Sequence, residues 1–157
     1  MAGKKSAGLL LFRMRSGRLE VLLVHPGGPF WARKDDGAWS IPKGEIADGE
    51  DALAAATREV EEETGARPSG RVIALDPVRQ SGGKVVHAWA VESDFDPTTL
   101  RSNLVEMEWP PRSGQRKTFP EVDRAAWFSL ETAARKILSG QTPLLRQLEA
   151  RLTSGGR

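Results

Sequence analysis

The chain has 157 residues, enough for one domain with a buried core, and its 39% hydrophobic and 28% charged content is that of a globular protein. With no cysteine and only two histidines, His25 and His87, it excludes a disulfide framework, a thiolate metal site, a cysteine nucleophile and a His-rich zinc centre. Net charge is +2, with 14 Lys/Arg against 17 Asp/Glu over residues 1–109 and 9 against 4 over residues 110–157; a bias of this size reads first as a solvated basic surface.

Residues 6–13 (SAGLLLFR) and 19–25 (LEVLLVH) read as two strands around a turn at Arg15-Ser16-Gly17-Arg18. Residues 26–38 form a loop rich in Gly, Pro and charge that carries Phe30, Trp31, Arg33 and Lys34. Trp39-Ser40-Ile41-Pro42 then runs into Lys43-Gly44. A helix follows, with Asp48 expected as its N-cap and Asp51 three residues on, and Gly65 at its C-terminal end. Residues 71–79 and 84–92 read as strands joined by a hairpin at Ser81-Gly82-Gly83. Residues 103–109 alternate as a strand, 110–122 read as an irregular basic insertion and 126–129 as a short strand. Helices are expected at 130–138 and 143–152, the last with Pro143 at its first position. No repeat or second domain interrupts residues 1–157, and the layout predicts an α+β fold, a mixed sheet with helices on its faces. No apolar run reaches membrane-spanning length and no signal-peptide core precedes the first strand, so a cytoplasmic location is the default expectation.

The chemistry lies in residues 44–66, GEIADGEDALAAATREVEEETGA. On a helix, Glu59, Glu62 and Glu63 stand at i, i+3 and i+4 and share a face, while Leu53, Ala56 and Val60 form a core-facing stripe. Carboxylates packed this densely repel one another unless a cation sits among them, and oxygen-only ligands suit a hard ion such as Mg²⁺ or Mn²⁺. Arg58 is placed to reach back and orient one of the acids. Acidic helix faces are common on protein surfaces, but a solvated face does not account for Gly44, Glu50, Arg58 and Gly65 at their offsets.

Those offsets match the Nudix box, G-x5-E-x7-R-E-U-x-E-E-x-G-U with U aliphatic, at every fixed position. The chain thus resembles the Nudix hydrolase family. The resemblance implies an α/β/α sandwich and Mg²⁺- or Mn²⁺-dependent cleavage of a diphosphate linkage in a nucleoside polyphosphate, either a nucleoside triphosphate or a dinucleoside polyphosphate. It also implies site roles. Glu62 and Glu63 would be metal ligands, Glu59 a ligand or the general base, and Arg58 the orienter of a box carboxylate. Glu50 would support the site, and the main-chain carbonyl at Lys43 or Gly44 would complete the ligand set. A further carboxylate is expected from outside the box, from Glu106 or Glu121 ahead of Glu108.

The string W-S-I-P-K-G at Trp39–Gly44 resembles the entry to the box in some dinucleoside polyphosphate hydrolases and some nucleoside triphosphate pyrophosphohydrolases. Lys43 is therefore a candidate phosphate contact, with Arg33 and Lys34 behind it, and Trp31 and Trp39 are candidates to stack on a base. Trp127–Ala133, WFSLETA, is a weaker echo of the family. The chain has no tyrosine, unlike several dinucleoside polyphosphate hydrolases, which carry one about sixteen residues beyond the box. Two other readings stay open: an RNA 5′-end pyrophosphohydrolase guided by Arg112, Arg116 and Lys117, and a non-catalytic nucleotide-binding module.

Overall fold

The computed structural model describes residues 5–155; the ends of the expected 1–157 domain lie outside the described residues. Its framework is a seven-stranded mixed sheet built around β1 (Lys5–Arg15). On one edge β1 runs parallel to β6 (Val85–Glu92), with Leu9 beside Trp89 and Leu11 beside Val91. On its other edge its C-terminal half pairs antiparallel with β2 (Arg18–Pro26), and its N-terminal half with the three-residue β3 (Lys43–Glu45). The outer strands are β9 (Val122–Ser129) beside β2, and β4 (Val72–Ala74) and β5 (Val78–Arg79) beside β6.

The split partnership of β1 sets the position of the site. After Val21, β2 diverges from β1 and residues 39–43 enter the gap. Ser40 exchanges backbone hydrogen bonds with Val24 at 2.8 and 3.0 Å, and Leu9 N donates to Pro42 O. Gly44 is thereby delivered to the middle of the sheet, beside Ala7.

Strand alternation sends β1 side chains to two cores. Ala7, Leu9 and Leu11 face α1 (Ala52–Thr64) with Ala55, Ala56 and Val60. Leu10 and Phe12 face the opposite side, which α2 (Leu130–Lys136) and α3 (Thr142–Gly155) cover through Ala133, Leu144, Leu145 and Leu148. Helices on both faces of a mixed sheet make the expected α/β/α sandwich. Each fully buried Leu contributes about 1.5–3 kcal/mol of hydrophobic stabilisation. Among the described residues, no helix is long and apolar enough to cross a membrane.

Several local expectations need correction. The N-cap of α1 is Asp51, whose side chain accepts from Ala54 N at 3.1 Å, not Asp48. Gly49 adopts φ 76° and Glu50 N closes a turn on Ala47 O, so the chain cannot enter the helix until Asp51. The expected strand 71–79 breaks into β4 and β5 around Pro77, which has no N–H for a ladder. Residues 110–122 are not irregular: β8 (Arg116–Pro120) pairs with β7 (Leu104–Glu108) in a separate ribbon, with Met107 opposite Lys117. β9 is eight residues long because β2 pairs with it along its length. α2 stops at Lys136, since Ile137 turns extended and takes its place in the core.

Candidate active site

α1 lies across β3, and its two inward carboxylates, Glu59 and Glu63, are 9% and 5% exposed, one helical turn apart. Gly44 passes so close that a Cβ placed on it would lie 1.9 Å from Glu59 Oε1. Only glycine leaves that carboxylate in place.

Arg58 organises the outer part of the cluster. Its Nε and Nη2 grip Glu50 at 2.8 and 3.0 Å, and its Nη1 reaches Glu59 at 2.6 Å and Glu62 at 3.2 Å. The fork geometry suits guanidinium and not ammonium. Arg58 together with the Ala47 N–H holds the Glu50 carboxyl down to about 2. The same carboxylates hold the guanidinium proton more tightly than usual.

Among the described residues, no guanidinium is bonded to Glu63. Burial, with Glu121 and Glu59 nearby, pushes Glu63 up to about 9, against one 3.2 Å hydrogen bond from Lys43 N. Burial also raises Glu59 despite its contact with Arg58. The Lys43 ammonium is lowered by burial and by neighbouring Lys84, while Glu63, Glu121 and Glu59 oppose that shift. Among the described residues, no three acidic or imidazole groups stand in a ready ion-holding arrangement. Yet Glu59, Glu63 and Glu121 bring carboxyl oxygens together beside the main chain of Lys43 and Gly44. These oxygen donors fit a hard divalent cation.

Glu121 is the acid from outside the box that the structure brings in. The main chain fixes it: Glu121 N donates to Asn103 O, Gly27 N donates to Glu121 O, and Asn103 N donates to Glu62 O at the end of α1. Glu106 lines neither of the cavities beside the box. On the exposed β7–β8 ribbon it is paired with Arg116 at 2.9 Å, and Glu108 there accepts from Gly114 N.

Two cavities meet at Lys43 and Glu121. The larger, 770 Å³ and polar, runs past Gly44, Arg58, Glu59 and Glu62 to Lys84 and Asn103. The smaller, 230 Å³, is walled by Val24, Ile41 and Val122, with Trp31 and Glu63 on its lining. Trp31 lines this smaller cavity and is 38% exposed. Trp39 does not. Trp39 and Ile41 point into the core, so Trp39 is 4% exposed, packs edge-on to His25 and Phe128, and donates to Asp35. Arg33 and Lys34 are exposed and line neither cavity, although Lys34 Nζ lies 5.6 Å from the Trp31 ring.

Sequence reasoning missed Lys84 and Asn103. Lys84 follows the β5–β6 turn and reaches the cleft because β6 lies parallel beside β1; no local spacing signals that. Asn103 presents a buried Oδ1 without a hydrogen-bond partner among the described residues.

Comparison with known proteins agrees with this architecture. A family model described as NUDIX domain matches residues 4–148. An 8-oxo-(d)GTP phosphatase of Mycolicibacterium smegmatis is 36% identical over 124 residues, covering 68% of this chain and 34% of that protein, so the chain spans about a third of the curated relative's length. An Ap4A hydrolase of C. elegans, solved as a binary complex, superposes with a TM-score of 0.67 at 25% identity, covering 96% of this chain and 98% of that one. The NUDIX domain of Shewanella oneidensis NrtR, solved with ADP ribose, shares the fold with a TM-score of 0.68 at 20% identity, covering 97% and 90%.

Proposed function

The chain belongs to the NUDIX domain family, and from that premise we propose that it hydrolyses a phosphoanhydride bond in a nucleoside polyphosphate with the help of Mg²⁺ or Mn²⁺. The observation that carries this reading is the convergence of Glu59, Glu63 and Lys84 on Lys43 and Glu121, where the polar cleft and the smaller cavity meet. Acids on one wall and lysines at the rim suit a substrate whose phosphates are held by cations from both sides.

Glu59, Glu62, Glu63 and Glu121, with the carbonyl of Lys43 or Gly44, would hold the divalent ion. Such an ion would supply charge neutralisation at phosphate oxygens and a more acidic attacking water. Glu59 or Glu121 accepts a proton from the attacking water. Arg58 keeps Glu59 and Glu62 aimed into the cleft, and Glu50 holds Arg58 in turn. Lys43 and Lys84 bind phosphate oxygens as point charges. The adjoining 230 Å³ cavity takes the base against Trp31. The names of the relatives support a nucleotide substrate, with 8-oxo-(d)GTP and diadenosine tetraphosphate the first to try.

The test is Mg²⁺-dependent hydrolysis of a panel: canonical and 8-oxo nucleoside triphosphates, diadenosine polyphosphates, ADP-ribose and 5′-triphosphate RNA. Products are separated by ion-exchange chromatography. One clearly preferred nucleotide supports the reading and names the substrate; no turnover of any overturns it.

A further inference from the structure

We propose that Gln141 is a positioning residue for phosphate binding: its buried carboxamide ties the turn that carries Lys84 to the segment that leads into Lys43, and so sets the separation of the two cleft lysines. The phosphate role of Lys84 rests on the function proposed above; the tie itself rests on geometry.

Gln141 ends the short turn Ser139–Gln141 ahead of α3 and is 0% exposed. A carboxamide offers two N–H protons and an acceptor oxygen, and here both ends are engaged. Oε1 accepts from Ile41 N at 3.0 Å, while Nε2 donates to Ser40 Oγ at 3.0 Å and to Gln80 Oε1 at 2.8 Å. Ile41 N can only donate, so the network itself fixes which end of the amide is oxygen. An apolar side chain would fill this volume without partners. What the carboxamide adds is direction: it joins residues 40–41 to residue 80 through bonds that no titration near neutral pH disturbs.

The two ends of the tie differ in how firmly they are otherwise held. Ser40 and Ile41 belong to the inserted segment, which Val24 holds at Ser40 and Leu9 holds at Pro42. Lys43 follows in β3, paired with Gly8 of β1. The other end is the β5–β6 turn. It closes on itself, with Gln80 N donating to Lys84 O at 2.8 Å and Gly83 N to Gln80 O at 3.1 Å. The Arg79 side chain adds a solvent-exposed bond to Gly83 O at 3.3 Å, and β5 is two residues long. Gln80 Oε1 thus joins the turn to the fixed segment, and Lys84 lies one backbone hydrogen bond from Gln80. Lys43 and Lys84 line the same cavity. The charge on Lys84 helps lower the Lys43 ammonium, so the two repel. A turn free to move would carry Lys84 away from Lys43, which loosens the grip on a phosphate held by both.

The experiment uses Gln80→Leu. Leucine offers no acceptor to Gln141 Nε2, while the backbone bonds of residue 80 and the bond from Ile41 N to Gln141 stay. Gln141→Leu would also strip Ile41 N of its acceptor and endanger the fold, so it is the less informative change. The probe is methylenediphosphonate with Mg²⁺, whose P–C–P bridge is not hydrolysed, titrated by calorimetry. Lys84→Ala is expected to weaken its binding about tenfold, as for one charge-assisted hydrogen bond. Gln80→Leu weakens it about threefold, as for a turn in place a third of the time. In a Lys84→Ala background, Gln80→Leu adds no further loss. Hydrogen exchange at the Gly83 amide speeds up about fivefold in Gln80→Leu, with Ile41 unchanged. Unchanged exchange at Gly83 overturns the tie. Faster exchange with full affinity, or with losses that multiply with those of Lys84→Ala, leaves Gln141 merely structural and overturns the positioning role. So does a wild-type protein that does not bind the probe, or full affinity in Lys84→Ala. Turnover of the nucleotide panel decides the proposed function separately: turnover together with any of these results sinks the positioning role alone.

Discussion

Replacing Gly44 by alanine is the sharpest single perturbation of this site. Gly44 is not at a positive φ, so the backbone of β3 accepts alanine without strain. The whole effect falls on Glu59: the new methyl would lie 1.9 Å from Oε1 and 2.0 Å from Cδ, where ordinary contact begins at 3.4 Å. The carboxylate must withdraw by roughly 1.5 Å, against its 2.6 Å bond to Arg58 and inside a surface only 9% open. Overpacking of this kind costs about 1–3 kcal/mol, partly offset by roughly 0.4–1 kcal/mol from a stiffer unfolded chain. Stability should therefore fall by no more than about 2–3 kcal/mol, leaving a folded protein. Turnover should fall about a hundredfold, since displacing a reacting group by about 1 Å costs that much. Steady-state kinetics on the preferred nucleotide and urea melts read the two quantities separately. A Gly44→Ala variant within about threefold of wild-type kcat/KM refutes the claim that Glu59 acts from its observed position.

Further outcomes follow from the same geometry. Glu63 has a folded pKa of about 9, above its ordinary value of 4.5, so the folded protein binds the extra proton between those pH values. Without divalent cation, stability should fall as pH rises through that window, and Glu63→Gln should flatten the fall in urea melts. For the same reason, Mg²⁺ binding should release protons and tighten with pH up to about 9, measurable by calorimetry in buffers of different ionisation heat. Glu50 runs the other way: its pKa of about 2 means the stability it lends is present above its ordinary 4.5 and lost as pH falls toward 2, a loss absent in Glu50→Gln. Asp51→Ala should cost about 1 kcal/mol as the true N-cap, while Asp48→Ala costs nearly nothing by thermal melts. Leu53 is only partly buried, so Leu53→Ala should cost about 1–2 kcal/mol, short of the roughly 2–5 kcal/mol typical of a fully buried leucine.

Residues 44–66 were legible because helical spacing alone puts Glu59 and Glu63 on one side and Val60 on another, and a box of fixed offsets leaves little freedom. The first strand was equally visible in its unbroken apolar run, residues 9–12. What could not be read were positions set by long-range pairing. Lys84 depends on a parallel neighbour of β1, and Glu121 on backbone bonds to Asn103 and Gly27. Glu106 looked equivalent to Glu121 until the β7–β8 ribbon paired it with Arg116. Trp39 was a candidate to stack on a base or to pack beneath the box loop; its segment inserts between β1 and β2, which turns its ring into the core.

The most direct measurement sets wild type, Glu63→Gln and Glu106→Gln side by side on the preferred nucleotide, with Mg²⁺ and after chelation. The expected result is equal turnover by wild type and Glu106→Gln, a loss of about a hundredfold or more in Glu63→Gln, and none in chelator. Full activity in Glu63→Gln, or turnover indifferent to chelation, would contradict a divalent-cation hydrolase centred on this cleft.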